Sequence, residues 1–155
     1  VYTRPEIGNH FLIGSEEPKC DPLEYVDPDN YNRNFTDQAK TQVMRQAMRL
    51  PNLPIPNQNQ GLVDLYDVSD DWYPIYDKST LPGFYLAIGT SGNQYKNAPV
   101  VGALLSDLIQ YCENGNDHDT DPLQYRMKYI NYTLNIGFFS RIRVINRDSS
   151  FSVIG

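Results

Sequence analysis

The segment from residue 83 to residue 102 constrains the fold of this chain more than any other. An apolar stretch, Phe84–Ile88, runs into a turn that carries Gly89 and Gly92, and an amphipathic segment follows directly. This order predicts a strand, a tight turn and a helix, because glycine adopts the positive φ angles that other residues resist. The N–H groups of such a turn and the helix N-terminus carry partial positive charge, to which Lys96 adds a full one. We therefore expect the chemistry of the chain here, around an anion or an electron-rich ring edge.

Local signals elsewhere predict another helix and several strands. Thr36 or Asn34 can cap a helix with apolar residues at helical spacing, which Pro51 ends. The pair Gly8-Asn9 is typical of a tight hairpin turn. Further strands are predicted at Gly61–Val68 and Trp72–Tyr76, and Phe138–Ile145 is compatible with one. The mixture predicts an α+β protein, with an antiparallel sheet and two main helices.

Length and charge bound the class of protein. A chain of 155 residues predicts a single domain over residues 1–155. Its net charge of −6 argues against duplex nucleic acid as a partner, because that binding needs clustered Lys and Arg. No apolar run approaches the roughly 20 residues that a membrane span needs, and no signal segment is evident. We expect a soluble, cytoplasmic protein.

Two charged stretches are interpreted as structural. The acidic stretch Asp117–Asp121 looks like a calcium loop, but Pro122 stands where the loop needs glycine, and Lys128 replaces the closing acid. A solvated acidic turn is favoured, and no metal site is predicted. Three arginines cluster near the end of the chain, namely Arg141, Arg143 and Arg147, and they alternate with apolar residues and lie close to acids, which is typical of the solvent-facing side of a strand.

The turn from Gly89 to Lys96 has two interpretations. It can be a plain connection between a strand and a helix. It can also hold a ligand, although the spacing of Gly89 and Gly92 lacks the G-x-G-x-x-G pattern of a dinucleotide-binding turn. A pyrophosphate is therefore not the expected ligand.

The glycine-rich turn and the residues before it resemble a sequence signature of a known protein family. Residues 83–102, together with Tyr66–Ile75 before them, resemble the C-terminal signature of FAD-dependent amine and amino-acid oxidoreductases. This is the D-amino-acid oxidase superfamily, which includes sarcosine and dimethylglycine oxidases and dehydrogenases. The resemblance implies an antiparallel sheet with helices that forms a roof over the flavin ring and the substrate. It also implies that the chain is a C-terminal fragment, without the N-terminal Rossmann half that binds the ADP part of FAD.

The resemblance assigns roles by position. It implies that the turn faces the pyrimidine end of the flavin ring through Gly89, Thr90, Ser91, Gly92, Asn93 and Gln94. A reduced flavin carries negative charge at that end, which aligned N–H groups would stabilise. Lys96 matches a lysine that holds the substrate carboxylate in sarcosine-oxidase-like members. Asp64 stands near the place of the cysteine that anchors flavin in some relatives, which excludes covalent attachment by that route.

The functional expectation follows from these roles. The complete enzyme would oxidise a C–N bond of an amino acid or N-methyl amino acid, and the fragment alone would be inactive. It would expose apolar surface toward the missing half and self-associate. A rival interpretation is a stand-alone α+β binding or interaction module without redox activity. A third is a subunit that completes its flavin site with a separate chain.

Overall fold

The computed structural model describes residues 2–14, 24–58 and 60–152. The chain, for which the sequence predicts one domain, divides into two compact units, residues 1–65 and 66–155. The described residues form two α-helices and three separate antiparallel strand pairs, which confirms the α+β class. Neither α-helix in these ranges has both the length and the apolar character that a bilayer span requires.

The first unit begins with a hairpin. Strand β1 (Tyr2–Glu6) pairs with β2 (His10–Gly14) in antiparallel register. The turn between them needs two left-handed residues, and Gly8 and Asn9 supply them with φ angles of 78° and 62°. Glycine and asparagine adopt this conformation at little cost, which confirms the predicted turn.

Helix α1 (Asp37–Ala47) follows in the same unit. The Thr36 hydroxyl accepts a hydrogen bond from the Ala39 N–H at 3.1 Å, which confirms the predicted cap. The helix ends before Pro51 because Arg49 and Leu50 donate to carbonyls three residues back, which tightens the last turn.

The second unit contains a hairpin and a long helix. Strand β3 (Ile75–Lys78) pairs with β4 (Tyr85–Ile88) in antiparallel register. The strand predicted at Trp72–Tyr76 begins only after Pro74, whose nitrogen has no hydrogen to donate. The continuous apolar character of β4 predicts a buried strand, and this is wrong, since Ile88 remains 48% exposed.

Helix α2 (Ala98–Glu113) continues directly from a 3₁₀ turn at Tyr95–Asn97 and packs against β3. Asn97 precedes it as predicted, but its side chain makes no capping hydrogen bond. The helix buries Leu104 and Leu108, and Leu104 forms a core cluster with other buried residues of the unit, Tyr76 and Ile136. This core fixes the start of α2 relative to the β3–β4 hairpin.

A short strand pair and a 3₁₀ turn complete the second unit. Strand β5 (Gln124–Arg126) pairs with β6 (Thr133–Asn135), and the 3₁₀ turn spans Ile136–Phe139. The strands predicted at Gly61–Val68 and Phe138–Ile145 are not formed. Both have a strand-like apolar pattern, but neither pairs with another strand, and pairing is what stabilises the extended backbone.

A buried carboxylate links β3 to the segment after the last 3₁₀ turn. Asp77 has no solvent exposure. It accepts hydrogen bonds from the Ser140 hydroxyl at 2.9 Å and from the Arg141 backbone N–H at 2.7 Å. The Arg141 guanidinium lies 3.0 Å from the same carboxylate and binds Asp119 with two bonds of 2.7 and 2.8 Å. One arginine therefore connects three segments that are distant in sequence.

This network corrects the prediction for the arginines. Arg141 and Arg143 do not form the wet side of a strand, because both are largely buried and ion-paired, Arg143 with Asp71. The guanidinium of Arg141 and the ammonium of Lys78 hold the pKa of Asp119 at about 2. Paired in this way, the charges can be kept away from water at a tolerable desolvation cost.

His118 lies inside the same network and was expected in a solvated turn. It is only 1% exposed. Its Nδ1 accepts the Leu123 N–H at 3.1 Å, so the ring proton resides on Nε2, 3.7 Å from an Asp77 oxygen. Burial lowers the pKa of His118, although the Asp77 and Asp119 carboxylates oppose that effect. The folded chain therefore favours the neutral ring.

We predict that Asp77→Ala strongly destabilises the second unit. It leaves Arg141 largely buried with one of its two carboxylates missing, which costs about 3 kcal/mol in the free energy of unfolding. Trp72, the one tryptophan of the chain, reports on this unit by fluorescence during urea unfolding. Asp117→Asn, at the exposed carboxylate that pairs with Lys78, is the control and should change stability by less than about 1 kcal/mol. Equal losses in the two variants would contradict the argument.

We also predict a pH dependence of stability from His118. Since its pKa is lowered on folding, the unfolded chain binds more protons once the pH falls below about 6.5. The free energy of unfolding therefore has its full value above about pH 6.5 and decreases below it, by at most about 1.4 kcal/mol per pH unit. Urea unfolding between about pH 7 and pH 5 measures the slope. His118→Gln should flatten it and His10→Gln, in the other unit, should not; a stability that stays constant in the native chain would refute the assignment.

Candidate functional site

The glycine-rich turn connects β4 to the 3₁₀ turn before α2. Its backbone is left-handed at three positions, with φ angles of 66° at Gly89, 49° at Ser91 and 76° at Gly92. Glycine explains two of them, whereas a serine in this conformation is uncommon. Gly89 and Ser91 are buried, so the turn folds inward at both.

Asp67 binds the N–H groups of this turn. Its carboxylate accepts the Thr90 N–H at 3.0 Å and the Thr90 hydroxyl at 2.5 Å. Its backbone carbonyl accepts the Ser91 N–H at 3.1 Å. The resemblance implied that these amides face a flavin ring, but the structure directs both to Asp67.

The electrostatics of this contact match the anion preference that the sequence indicated. Burial by itself would raise the pKa of Asp67, but the hydroxyl and the N–H of Thr90 outweigh it and lower the pKa. The carboxylate is therefore held ionised against the turn. The turn does bind an anion, and that anion belongs to the chain.

Gly92 is required by its contact as well as by its φ angle. A Cβ built on it would lie 2.4 Å from Cε1 of Tyr66, so the tyrosine ring occupies the space that a side chain would need. Tyr66 and Asp67 together brace the turn, part of which also lines a cleft.

The cleft has a volume of about 450 Å³, within the size range of small-molecule sites. The turn contributes Thr90, Gly92 and Gln94 to its lining. Side chains from the hairpin and from the start of α2 complete it, namely Tyr76, Ala87, Tyr95, Ala98 and Val101. The lining is mostly apolar, with one side-chain amide, that of Gln94, and three hydroxyl groups, those of Tyr76, Thr90 and Tyr95.

Gln94 is the most firmly positioned polar group of the cleft. Its Oε1 accepts from the Tyr76 hydroxyl at 2.9 Å and from the Asn97 side-chain amide at 2.9 Å. Its Nε2 donates to the side chain of Asn93. Burial raises the pKa of Tyr76, so the phenol remains a donor at neutral pH and fixes the orientation of the amide.

The structure brings some of the predicted site residues together and not others. Thr90, Gly92 and Gln94 share the cleft, whereas Asn93 lines a second cavity, to which Gln94 also contributes. Lys96 is exposed in the 3₁₀ turn and is not among the lining residues of the cleft.

Sequence reasoning missed Asp67 and Tyr76. Asp67 precedes the turn by more than twenty residues, and the hydroxyl of Tyr76 acts through Gln94. No local spacing signals either contact. Within the described ranges, no three or more His, Cys, Asp or Glu residues are grouped so that they could hold a metal ion.

No family model matches the chain, and no curated protein or solved structure shows a significant match to it. The resemblance to FAD-dependent oxidoreductases therefore stays a prediction, based on the residues of 66–102.

We predict that Asp67→Ala loosens the turn at one amide selectively. Hydrogen exchange of the Thr90 N–H should accelerate about fivefold, since it loses a carboxylate acceptor worth about 1 kcal/mol. The Ser91 N–H should change much less, because its acceptor is the backbone carbonyl of residue 67. Amide exchange by NMR measures both, and Asp70→Ala is the neighbouring control. Equal acceleration of both amides would mean that the carboxylate does not hold the turn in this way.

Proposed function

We propose that the chain is the C-terminal, flavin-capping part of an FAD-dependent oxidoreductase that oxidises a C–N bond of an amino acid or N-methyl amino acid. The observation that carries the proposal is the apolar cleft, because the residues of the resemblance, Thr90, Gly92 and Gln94, form one of its walls. A planar ring with polar edges fits an apolar lining with a few fixed polar groups.

The residues of the cleft suit such a ring in two ways. Ala87, Ala98 and Val101 offer flat apolar contact on the strand and helix sides. Gln94, held by Tyr76, Asn93 and Asn97, keeps one amide hydrogen that it can donate to a ring heteroatom. A bound flavin would supply the hydride acceptor, while these side chains bind and orient it.

The turn amides have a different part in this proposal from the one that the resemblance implied. Thr90 and Ser91 donate to Asp67, so their N–H groups serve to shape the turn. Lys96 retains its proposed role toward the substrate carboxylate, as an exposed cation two residues after Gln94. The ADP-binding half would come from another part of the polypeptide or from a partner chain.

Exposed apolar side chains support a partner for the second unit. Tyr95 at the rim of the cleft is 97% exposed, and Val144 is 93% exposed. Ile88 on β4 and Ile142 are also exposed. Contact with the rest of an enzyme or with a second copy would remove such side chains from water.

A second candidate is a binding or interaction module without redox activity. One observation favours it: the anion-binding amides of the turn are already occupied by Asp67. A module would need the cleft for a ligand of another kind, or the exposed apolar residues for a protein partner. The two candidates differ in whether an isoalloxazine ring enters the cleft.

We predict that riboflavin, which carries the ring without the ADP half, binds the 155-residue chain weakly, with a dissociation constant on the order of 0.1–1 mM. Quenching of riboflavin fluorescence measures the affinity. Chemical shifts of the Thr90, Gly92 and Val101 amides should identify the cleft as the site. Loss of binding in a variant that fills the cleft is the decisive result.

Ala98 and Val100 provide the matched pair, since both are exposed at the start of α2 and only Ala98 lines the cleft. Ala98→Phe should weaken riboflavin binding at least about tenfold, and Val100→Phe should leave it unchanged. Absence of binding by the native chain, or equal effects of the two variants, would reject the flavin proposal and favour the module.

A further inference from the structure

A second cavity of about 270 Å³ shares Gln94 with the cleft. Its lining includes two aromatic residues and four small polar ones: Trp72, Tyr73, Asn93, Ser149, Ser150 and Ser152. None of the lining residues carries a charge. The aromatic and hydroxyl-bearing sides of the cavity come from segments far apart in sequence.

An ion pair positions the aromatic side. Asp71 is fully buried, and Arg143 binds its carboxylate with two hydrogen bonds, of 3.0 and 2.5 Å. Arg143 also donates to the Tyr73 carbonyl at 2.9 Å, and the Tyr73 N–H donates to Asp71 at 3.2 Å. The Tyr73 ring packs edge-on against Phe138 with 5.1 Å between the ring centroids.

The same carboxylate positions the hydroxyl-bearing side. Asp71 accepts the Asn146 N–H at 3.3 Å, and the Ser149 N–H donates to the Asn146 carbonyl. Burial alone would raise the pKa of Asp71, but the hydrogen bonds from Arg143, Asn146 and Tyr73 hold it at about 2. One buried ion pair thus connects the two segments that line the cavity.

Trp72 adds strain at this place. Its φ angle is 62°, in the left-handed region that a bulky residue rarely adopts. Hydrogen bonds on either side enforce the conformation, from the Trp72 N–H to the Ser69 carbonyl and from Tyr73 to Asp71. Backbone strain of this kind clusters at active sites, ligand clamps and switch regions.

We propose that this cavity binds an uncharged, hydroxyl-rich ring of the size of a monosaccharide. Serine hydroxyls and the Asn93 amide both donate and accept, and so do the hydroxyls of a sugar. The aromatic residues Trp72 and Tyr73 supply apolar contact for its C–H groups. An ionic ligand would lose hydration without gaining a counter-charge from the lining. The site shares Gln94 with the cleft, but none of the contacts named here depends on the flavin proposal.

The test uses Trp72 itself, since it is the one tryptophan in the chain and it lines the cavity. D-Glucose should change its fluorescence saturably, with a dissociation constant on the order of 1 mM, as expected for a ligand of about twelve heavy atoms. D-Glucuronate, which has the same ring with a carboxylate, should bind at least about tenfold more weakly. NMR shifts of Trp72 and Ser150 give a second readout that does not depend on fluorescence.

Ser150→Ala removes an exposed hydroxyl of the lining and should weaken glucose binding about tenfold, the equivalent of one good hydrogen bond. Ser106→Ala, on the exposed surface of α2, is the matched control and should bind as the native chain does. The proposal is overturned if glucose moves neither signal, if glucuronate binds as tightly as glucose, or if the two serine variants behave alike.

Discussion

The second unit depends on the burial of one carboxylate. Asp77 lies on β3, the strand that α2 packs against, and it receives the Ser140 hydroxyl and two hydrogen bonds from Arg141. The guanidinium of Arg141 also donates a hydrogen bond to Asp119. Its described residues form four strands in two separate pairs and a small apolar core, so no extended sheet fixes its segments. Polar contacts between distant segments therefore hold the segments in place, as the hydrogen bonds of a sheet do in other folds.

The same principle shapes the site. The left-handed turn at Gly89–Gly92 could bind an external anion if its N–H groups were free, but Asp67 of the same chain accepts the hydrogen bonds of Thr90. What remains accessible is an apolar cleft with one oriented amide, that of Gln94. Such a surface recognises shape and hydrogen-bond direction more than charge. This is the reason that both of our ligand proposals concern neutral rings.

Sequence reasoning succeeded where the determinants are local. The Gly8-Asn9 turn and the Thr36 cap each follow from two or three neighbouring residues, and both are formed. It failed where a residue's role depends on a distant partner. The local pattern predicts that Arg143 faces solvent, but in the structure Arg143 pairs with Asp71, which lies seventy-two positions earlier in the chain. Likewise, nothing near His118 in sequence indicates burial. For the site, the local pattern located the turn and three lining residues, while Asp67 required the fold.

In the segment after Ser140 the charged side chains are buried and the apolar ones are exposed, the reverse of what its sequence pattern predicts. This arrangement affects how the chain can associate. Arg141 and Arg143 face inward, while Ile142 and Val144 face solvent. Released from its ion pairs, this alternating stretch has the β propensity and the absence of proline that favour strand pairing, but its two uncompensated arginines oppose cross-β stacking, which requires low net charge. Association is therefore opposed at two stages: in the folded chain the ion pairs hold the stretch outside any strand, and in the unfolded chain the arginine charges repel one another.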